Sequence, residues 1–216
     1  MLARLERRPD AAARAARDVA VRLRSHGGAA QLLVGTDRAL IPVLESLGNL
    51  PVAWGRTGVW AASEAVVAES HASRRWPAVW QALAVPARFN PIPVDPVADA
   101  DGTRTASRYA ALLAAPPARG VVDVALLCLR ADGGVAGLDA SSTLLRERGD
   151  VGAARGPDGL VEVSITLPTL ARARAIVLVT APDCPESIVQ KALAGDASLP
   201  AGRLRHPQFV LYQPGA

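Results

Sequence analysis

Lysine is almost missing from this chain: of its 24 basic residues, Lys191 alone is not an arginine. Histidine and cysteine are scarce as well, at three and two residues, with no paired spacing of either, so a zinc site is not expected. Two cysteines, Cys128 and Cys184, are too few for a disulfide framework. The glycine pattern Gly-x-Gly-x-x-Gly does not occur, which removes the usual support for a dinucleotide, and no cofactor is expected. No apolar run reaches the roughly 18 residues of a membrane span. The opening Met1 to Arg8 is charged where an export signal carries an apolar core, so the expectation is a cytoplasmic protein with no membrane contact.

What is present is a globular composition. Half of the 216 residues are hydrophobic and the mean hydropathy is +0.19, enough for one α/β domain over 1–216 with a substantial core. The isoelectric point near 9.8 rests on a surplus of only four charges, because arginine's high pKa inflates it. Arg4, Arg7, Arg8, Arg14, Arg17, Arg22 and Arg24 crowd the first segment without one aromatic residue to stack a base. They read as a solvated helix face, and nucleic acid is not an expected partner.

The most informative stretch is Val122 to Leu129, an eight-residue run that is apolar except for Asp123 and stops abruptly at Arg130-Ala131-Asp132-Gly133-Gly134. A β-branched, leucine-rich run without polar alternation reads as a strand buried on both faces of a parallel sheet. Ligands of such sheets sit beyond the carboxyl ends of the strands, which is where this turn falls.

Around it, strand and helix signals alternate. A helix is expected from Pro9-Asp10 to Ser25, with Asp10 as N-cap and Gly27-Gly28 as stop. Gln31 to Gly35 reads as a buried strand, Ala39 to Leu47 as a helix, and Val52 to Trp54 as a second short strand. Ser73 to Leu83 reads as a helix with Trp76, Trp80 and Leu83 on one side. Pro86 to Pro96 is an extended connector, and Thr103 to Ala114 a helix turning Tyr109, Leu112 and Leu113 inward. Residues 139–160 read as a long loop of the kind that forms lids. Val161 to Leu167 alternates like a strand, Leu170 to Arg174 reads as a short helical turn, and Ala175 to Thr180 as a buried strand. Pro185 to Leu193 reads as a helix, and Gln208 to Tyr212 closes the sheet. The alternation implies an α/β sandwich with a mainly parallel sheet.

The run and turn at 122–138 resemble the 6-phosphogluconolactonase signature, roughly Asp-x-x-x-Leu-Gly-x-Gly-x-Asp-Gly-His-x-Ala-Ser. Val163 to Leu170 is similar to the family's Thr-Leu-Thr strand, and Ser198 to Arg203 to its Leu-Pro-Ala tail. The resemblance, shared more loosely with glucosamine-6-phosphate isomerase, spans nearly the whole chain. It implies a Rossmann-like three-layer α/β sandwich of the sugar-phosphate isomerase type.

It also implies site positions, and this chain departs from them. The family's catalytic histidine falls on Gly134, which cannot accept a proton, and Arg130 replaces a family glycine. The phosphate-binding Ser-Gly-Gly-Ser-Thr turn reads Val34-Gly35-Thr36-Asp37-Arg38, where Asp37 and Arg38 read either as an altered anion site or as a surface ion pair. Asp-Glu-Arg after the second strand is matched to Arg56-Thr57-Gly58, and the downstream Ser-Asn to Ser70-His71. An arginine falls on Glu162 and a lysine near Cys184.

The candidate catalytic residues are therefore Asp132 and His71, with Gly35, Thr36, Asp37, Arg38, Arg56, Arg130 and Gly133 as candidate ligand-binding residues. Cys184, near a helix start, is either an activated thiol or an inert one. Three readings stand: a catalytically silent family member that binds a protein partner or a small polar or anionic metabolite, an enzyme of altered specificity, and a working lactonase. For the silent member, a tryptophan-rich surface patch is expected; the cluster of Trp54, Trp60, Trp76 and Trp80 fits such an interface and a core equally.

Overall fold

The computed structural model describes residues 4–26, 29–204, 206 and 208–214; the Gly27-Gly28 stop lies outside them. Seven strands form one wholly parallel sheet: β1 (Arg4–Arg8), β2 (Gln31–Val34), β3 (Gly58–Ala61), β5 (Arg88–Asn90), β6 (Val124–Leu129), β9 (Ile176–Thr180) and β10 (Phe209–Pro214). Their spatial order is β1-β10-β9-β6-β2-β3-β5. A smaller antiparallel sheet joins β4 (Ser63–Ala65), β8 (Val161–Ile165) and β7 (Val151–Arg155) in that order.

The central strands need no alternation because both of their faces are covered. Every residue of β2, β3, β6 and β9 is buried. Helices α1 (Ala11–Ser25), α2 (Ile41–Gly48) and α3 (Trp76–Leu83) pack side by side. Right-handed crossovers put them on one face and α4 (Thr103–Ala114), α5 (Leu167–Arg172) and α6 (Glu186–Ala194) on the other. The fold is thus α/β with a mainly parallel sheet flanked by helices, as expected.

From β2 the chain winds outward through β3 to β5; from β6 it winds the opposite way through β9 to β10. The order reverses between β2 and β6, so their carboxyl ends diverge and leave a crevice.

Several elements differ from expectation. Val52 to Trp54 is not a strand: a 3₁₀ turn occupies Trp54–Arg56, and the sheet takes up the chain at Gly58, in register with Gln31. The stretch at 139–160 holds a 3₁₀ turn (Thr143–Arg146) and strand β7, which exists because β8 offers it an antiparallel edge. β1 pairs with β10 at the sheet's edge, where its arginines stay exposed. Asp10 stands at the N-cap of α1, but its carboxylate bonds Arg17 and pairs with Arg14 and caps nothing. On α4, Tyr109 and Leu113 are buried while Leu112 is half exposed.

The tryptophans do not make a surface patch. Trp54, Trp60 and Trp76 are buried, and Trp60 donates its indole N–H to Gln31 Oε1 at 2.8 Å. On α3 the inward stripe is Trp76, Val79 and Leu83, which leaves Trp80 outside, against the edge of Phe89.

Candidate functional site

A cavity of about 450 Å³ opens at the carboxyl ends of β2, β6 and β9. Asp37, Arg38 and Ala39 line it after β2, Cys128, Arg130, Ala131 and Asp132 contribute around the end of β6, and Ala181, Pro182 and Asp183 close it after β9. This is the crevice that the strand order predicts, and its volume falls in the range of small-molecule sites.

Its central feature is the turn after β6. Arg130 N–H bonds Gly134 O at 3.0 Å and Gly133 N–H bonds Arg130 O at 2.9 Å, so the backbone closes on itself. Gly133 has φ +78°, and a Cβ there would collide with Leu199; its carbonyl accepts Ala201 N–H. Gly133 thus fastens the turn to the tail segment and does not line the cavity. Asp132 is exposed, and its Oδ1 accepts the Gly134 N–H at 2.8 Å, the Asx arrangement expected of an Asp-Gly turn.

The Arg130 side chain folds back over this turn. Its guanidinium donates to the carbonyls of Ala136 and Leu138, and it pairs with Asp132 at 3.5 Å and Asp37 at 3.8 Å. It fills the space a side chain at position 134 would need. A Cβ on Gly134 would stand 2.8 Å from both Arg130 Cζ and Asp132 Oδ1, and closer still to Nη2. Glycine at 134 and arginine at 130 are one structural choice made at two positions.

The turn after β2 is equally committed. Gly35 N–H is bonded to Leu126 O, and Thr36 is buried with its hydroxyl on Ser63 O at 3.2 Å. Asp37 pairs with Arg130 and not with its neighbour Arg38, which is exposed at the cavity rim. Burial raises the Asp37 carboxyl above its ordinary value in spite of the opposing pull of Arg130 and Arg75.

Behind the cavity lies a charge network that the sequence did not bring out. Glu64 is fully buried at the middle of β4, and its carboxylate accepts backbone N–H groups from Ala65, Arg75 and Trp76. It thereby caps the start of α3, where Arg75 then reaches Glu162 on β8 at 2.5 Å. Recognising Glu64 needs the true end of β3 at Ala61, seven residues beyond the Trp54 at which the sequence pattern ends the strand.

Other expected residues lie elsewhere. Arg56 precedes the first residue of β3, so it sits at the amino end of the sheet, in a separate cavity with Arg88 and Gln31. His71 is exposed in the turn before α3, where its Nδ1 accepts Ser73 N–H, and it does not line the cavity. Cys184 is half buried, and burial, then Asp183, Asp132 and Glu186, push its thiol up to about 11. That opposes an activated thiolate. Cys128 is a core residue, as expected, and burial pushes its thiol up too.

The sequence profile of the glucosamine-6-phosphate isomerases/6-phosphogluconolactonase family matches residues 6–212. The chain belongs to this family. Its fold agrees with a 6-phosphogluconolactonase from Trypanosoma brucei, at a TM-score of 0.83 and 17% identity over 98% of this chain and 96% of that one. A 6-phosphogluconolactonase from Shewanella baltica gives 0.81 and 17% over 99% and 97%. A monomeric glucosamine-6-phosphate deaminase gives 0.79 and 14% over 99% and 97%. No curated protein sequence matches significantly.

Arg56-Thr57-Gly58 lies before and at the start of β3, whereas Ser63-Glu64-Ala65 follows its end. Glu64 in that segment caps a helix.

Proposed function

We propose that this protein is a non-catalytic member of the 6-phosphogluconolactonase family, a pseudoenzyme that retains the family cleft for binding in carbohydrate metabolism or its regulation. One observation carries the reading: the Arg130 guanidinium occupies the space above Gly134. Lactone hydrolysis needs a base that takes a proton from water beside the ester carbonyl, and histidine suits this because its pKa lies near operating pH. Here that position has no side chain, and the volume is filled by a cation that cannot act as a base.

The phosphate end agrees. A sugar phosphate would meet Asp37 where the resemblance implies backbone donors, and Glu162 where it implies arginine. Glu162 is held in place by Arg75, so the reversal is built into the packing.

A second reading, an enzyme of altered specificity, is favoured by the convergence of Asp37, Arg38, Arg130, Asp132 and Asp183 on one cleft. In it, Asp37 serves as the acid or base, since burial already moves its pKa toward neutrality.

Thermal unfolding with millimolar 6-phosphogluconate tests the main reading. A site ligand at a hundred times its Kd stabilises a fold by about 2.7 kcal/mol. The expected result is no shift in Tm; a clear upward shift would mean that the cleft still holds a sugar phosphate and would overturn this reading of the site.

A further inference from the structure

The first residues of β2, β3 and β5 stand in one row across the sheet: Gln31 pairs with Gly58, and Gly58 with Arg88. Paired residues of neighbouring strands turn their side chains to the same face, so the glycine leaves the space between Gln31 and Arg88 free of a side chain of its own. The Gln31 amide leans into that space, where a Cβ on Gly58 would collide with its oxygen. Here lies a cavity of about 240 Å³, at the end of the sheet opposite the cleft. Ala29, the turn from Gly55 to Thr57, and Pro117 beyond α4 complete its lining.

The charges favour an anion. Arg56 and Arg88 both line the cavity, and neither guanidinium has an ion-pair or hydrogen-bond partner among the described residues. No carboxylate is in the lining. Asp123 accepts the Gln31 backbone N–H, but it lines a different cavity, paired with Arg174 at 3.1 Å and facing His26 at 3.5 Å.

Gln31 adds an independent demand. It is 3% exposed and lines the cavity, and its orientation is fixed because the Trp60 indole, which can only donate, bonds its Oε1. Its Nε2 gives one hydrogen to Ala29 O at 2.9 Å, and the other has no acceptor among the described residues. A buried N–H left unpaired is costly, and an oxygen held in this cavity would satisfy it.

We propose that the cavity is a second binding site, for a small tetrahedral oxyanion dianion, hydrogen phosphate or sulfate. Two unpaired guanidiniums balance two negative charges, and their planar forks donate to oxygens in pairs. The donors arrive from three separate elements, β2, β5 and the turn before β3. A tetrahedral oxyanion offers oxygens in all those directions, whereas a carboxylate offers them in one plane. The site shares no residue with the cleft and does not depend on the reading of the cleft as non-catalytic.

Titration calorimetry of the full chain with inorganic phosphate tests this, at a pH where phosphate is dianionic and with ionic strength held constant by chloride. Sulfate is the second tetrahedral probe and succinate the planar dianion. Phosphate and sulfate should bind saturably, and both more tightly than succinate. Arg56 and Arg88 are exposed and unpaired, so Arg56→Ala and Arg88→Ala fold, which a cooperative melt in chloride verifies. Each should weaken oxyanion binding at least about tenfold, the margin of one charge-assisted hydrogen bond. No saturable binding of either oxyanion, tighter binding of succinate, or unchanged affinity in either variant would overturn the proposal. Titrating 6-phosphogluconate into the same proteins separates this site from the cleft. Binding that survives in both variants belongs to the cleft and defeats the non-catalytic reading alone, whereas binding lost with the arginines belongs here and supports this site.

Discussion

At the scale of single residues, position 134 and position 130 have to be read together. Gly134→Ala meets only the outer ends of the Arg130 and Asp132 side chains, so it should lower stability by about 1 kcal/mol, the low end for overpacking, as measured by chemical unfolding. Arg130→Gly combined with Gly134→His should cost less than the sum of the two single changes, because the first removes what the second strikes. Additive costs would mean that Arg130 moves aside freely. Asp37 gives a pH signature. Its folded pKa lies above the unfolded value, so between the two the folded state holds more protons and stability falls as pH rises. Asp37→Asn lacks that titration, and its stability relative to the parent should climb across this window; a flat difference in denaturant midpoints would contradict it. These features are half legible in sequence: the missing histidine is plain, but nothing in the letters says that the arginine four residues earlier fills its place.

Among the elements, α3 depends on a buried acid. Glu64→Ala would strand the N–H groups of Arg75 and Trp76 and remove the buried charge that faces Arg74, while Arg75 keeps Glu162; Arg74 Nη1 and Arg75 Nε already lack hydrogen-bond partners. The expected loss is about 3–5 kcal/mol, read from urea unfolding, and an effect below about 1 kcal/mol would show the network to be dispensable. Glu64 escaped the sequence reading for a specific reason. Val52-Ala53-Trp54 and Val59-Trp60-Ala61 are both short apolar runs next to glycine, and periodicity cannot choose between them. Sheet register does choose, by aligning Gly58 with Gln31. β7 was hidden in the same way, because Val151-Gly-Ala-Ala-Arg155 has little strand character until β8 supplies its hydrogen bonds. By contrast β6 and β9, long and apolar, could be placed from composition alone.

For the whole molecule, the parallel sheet and its reversal between β2 and β6 fix where a ligand sits, and the family fold keeps that cleft open. What lies in the cleft has changed from the chemistry the resemblance implies: a glycine for the base, an arginine in its volume, and carboxylates from three loops at the lining. On the proposed reading, fold and chemistry have parted while the scaffold persists. The most direct test is the rate of 6-phosphogluconolactone hydrolysis with purified protein, followed against the spontaneous reaction. The account predicts no acceleration at any protein concentration. A rate that rises in proportion to protein, and falls in Asp132→Asn, would contradict it and make this chain a lactonase with a different base.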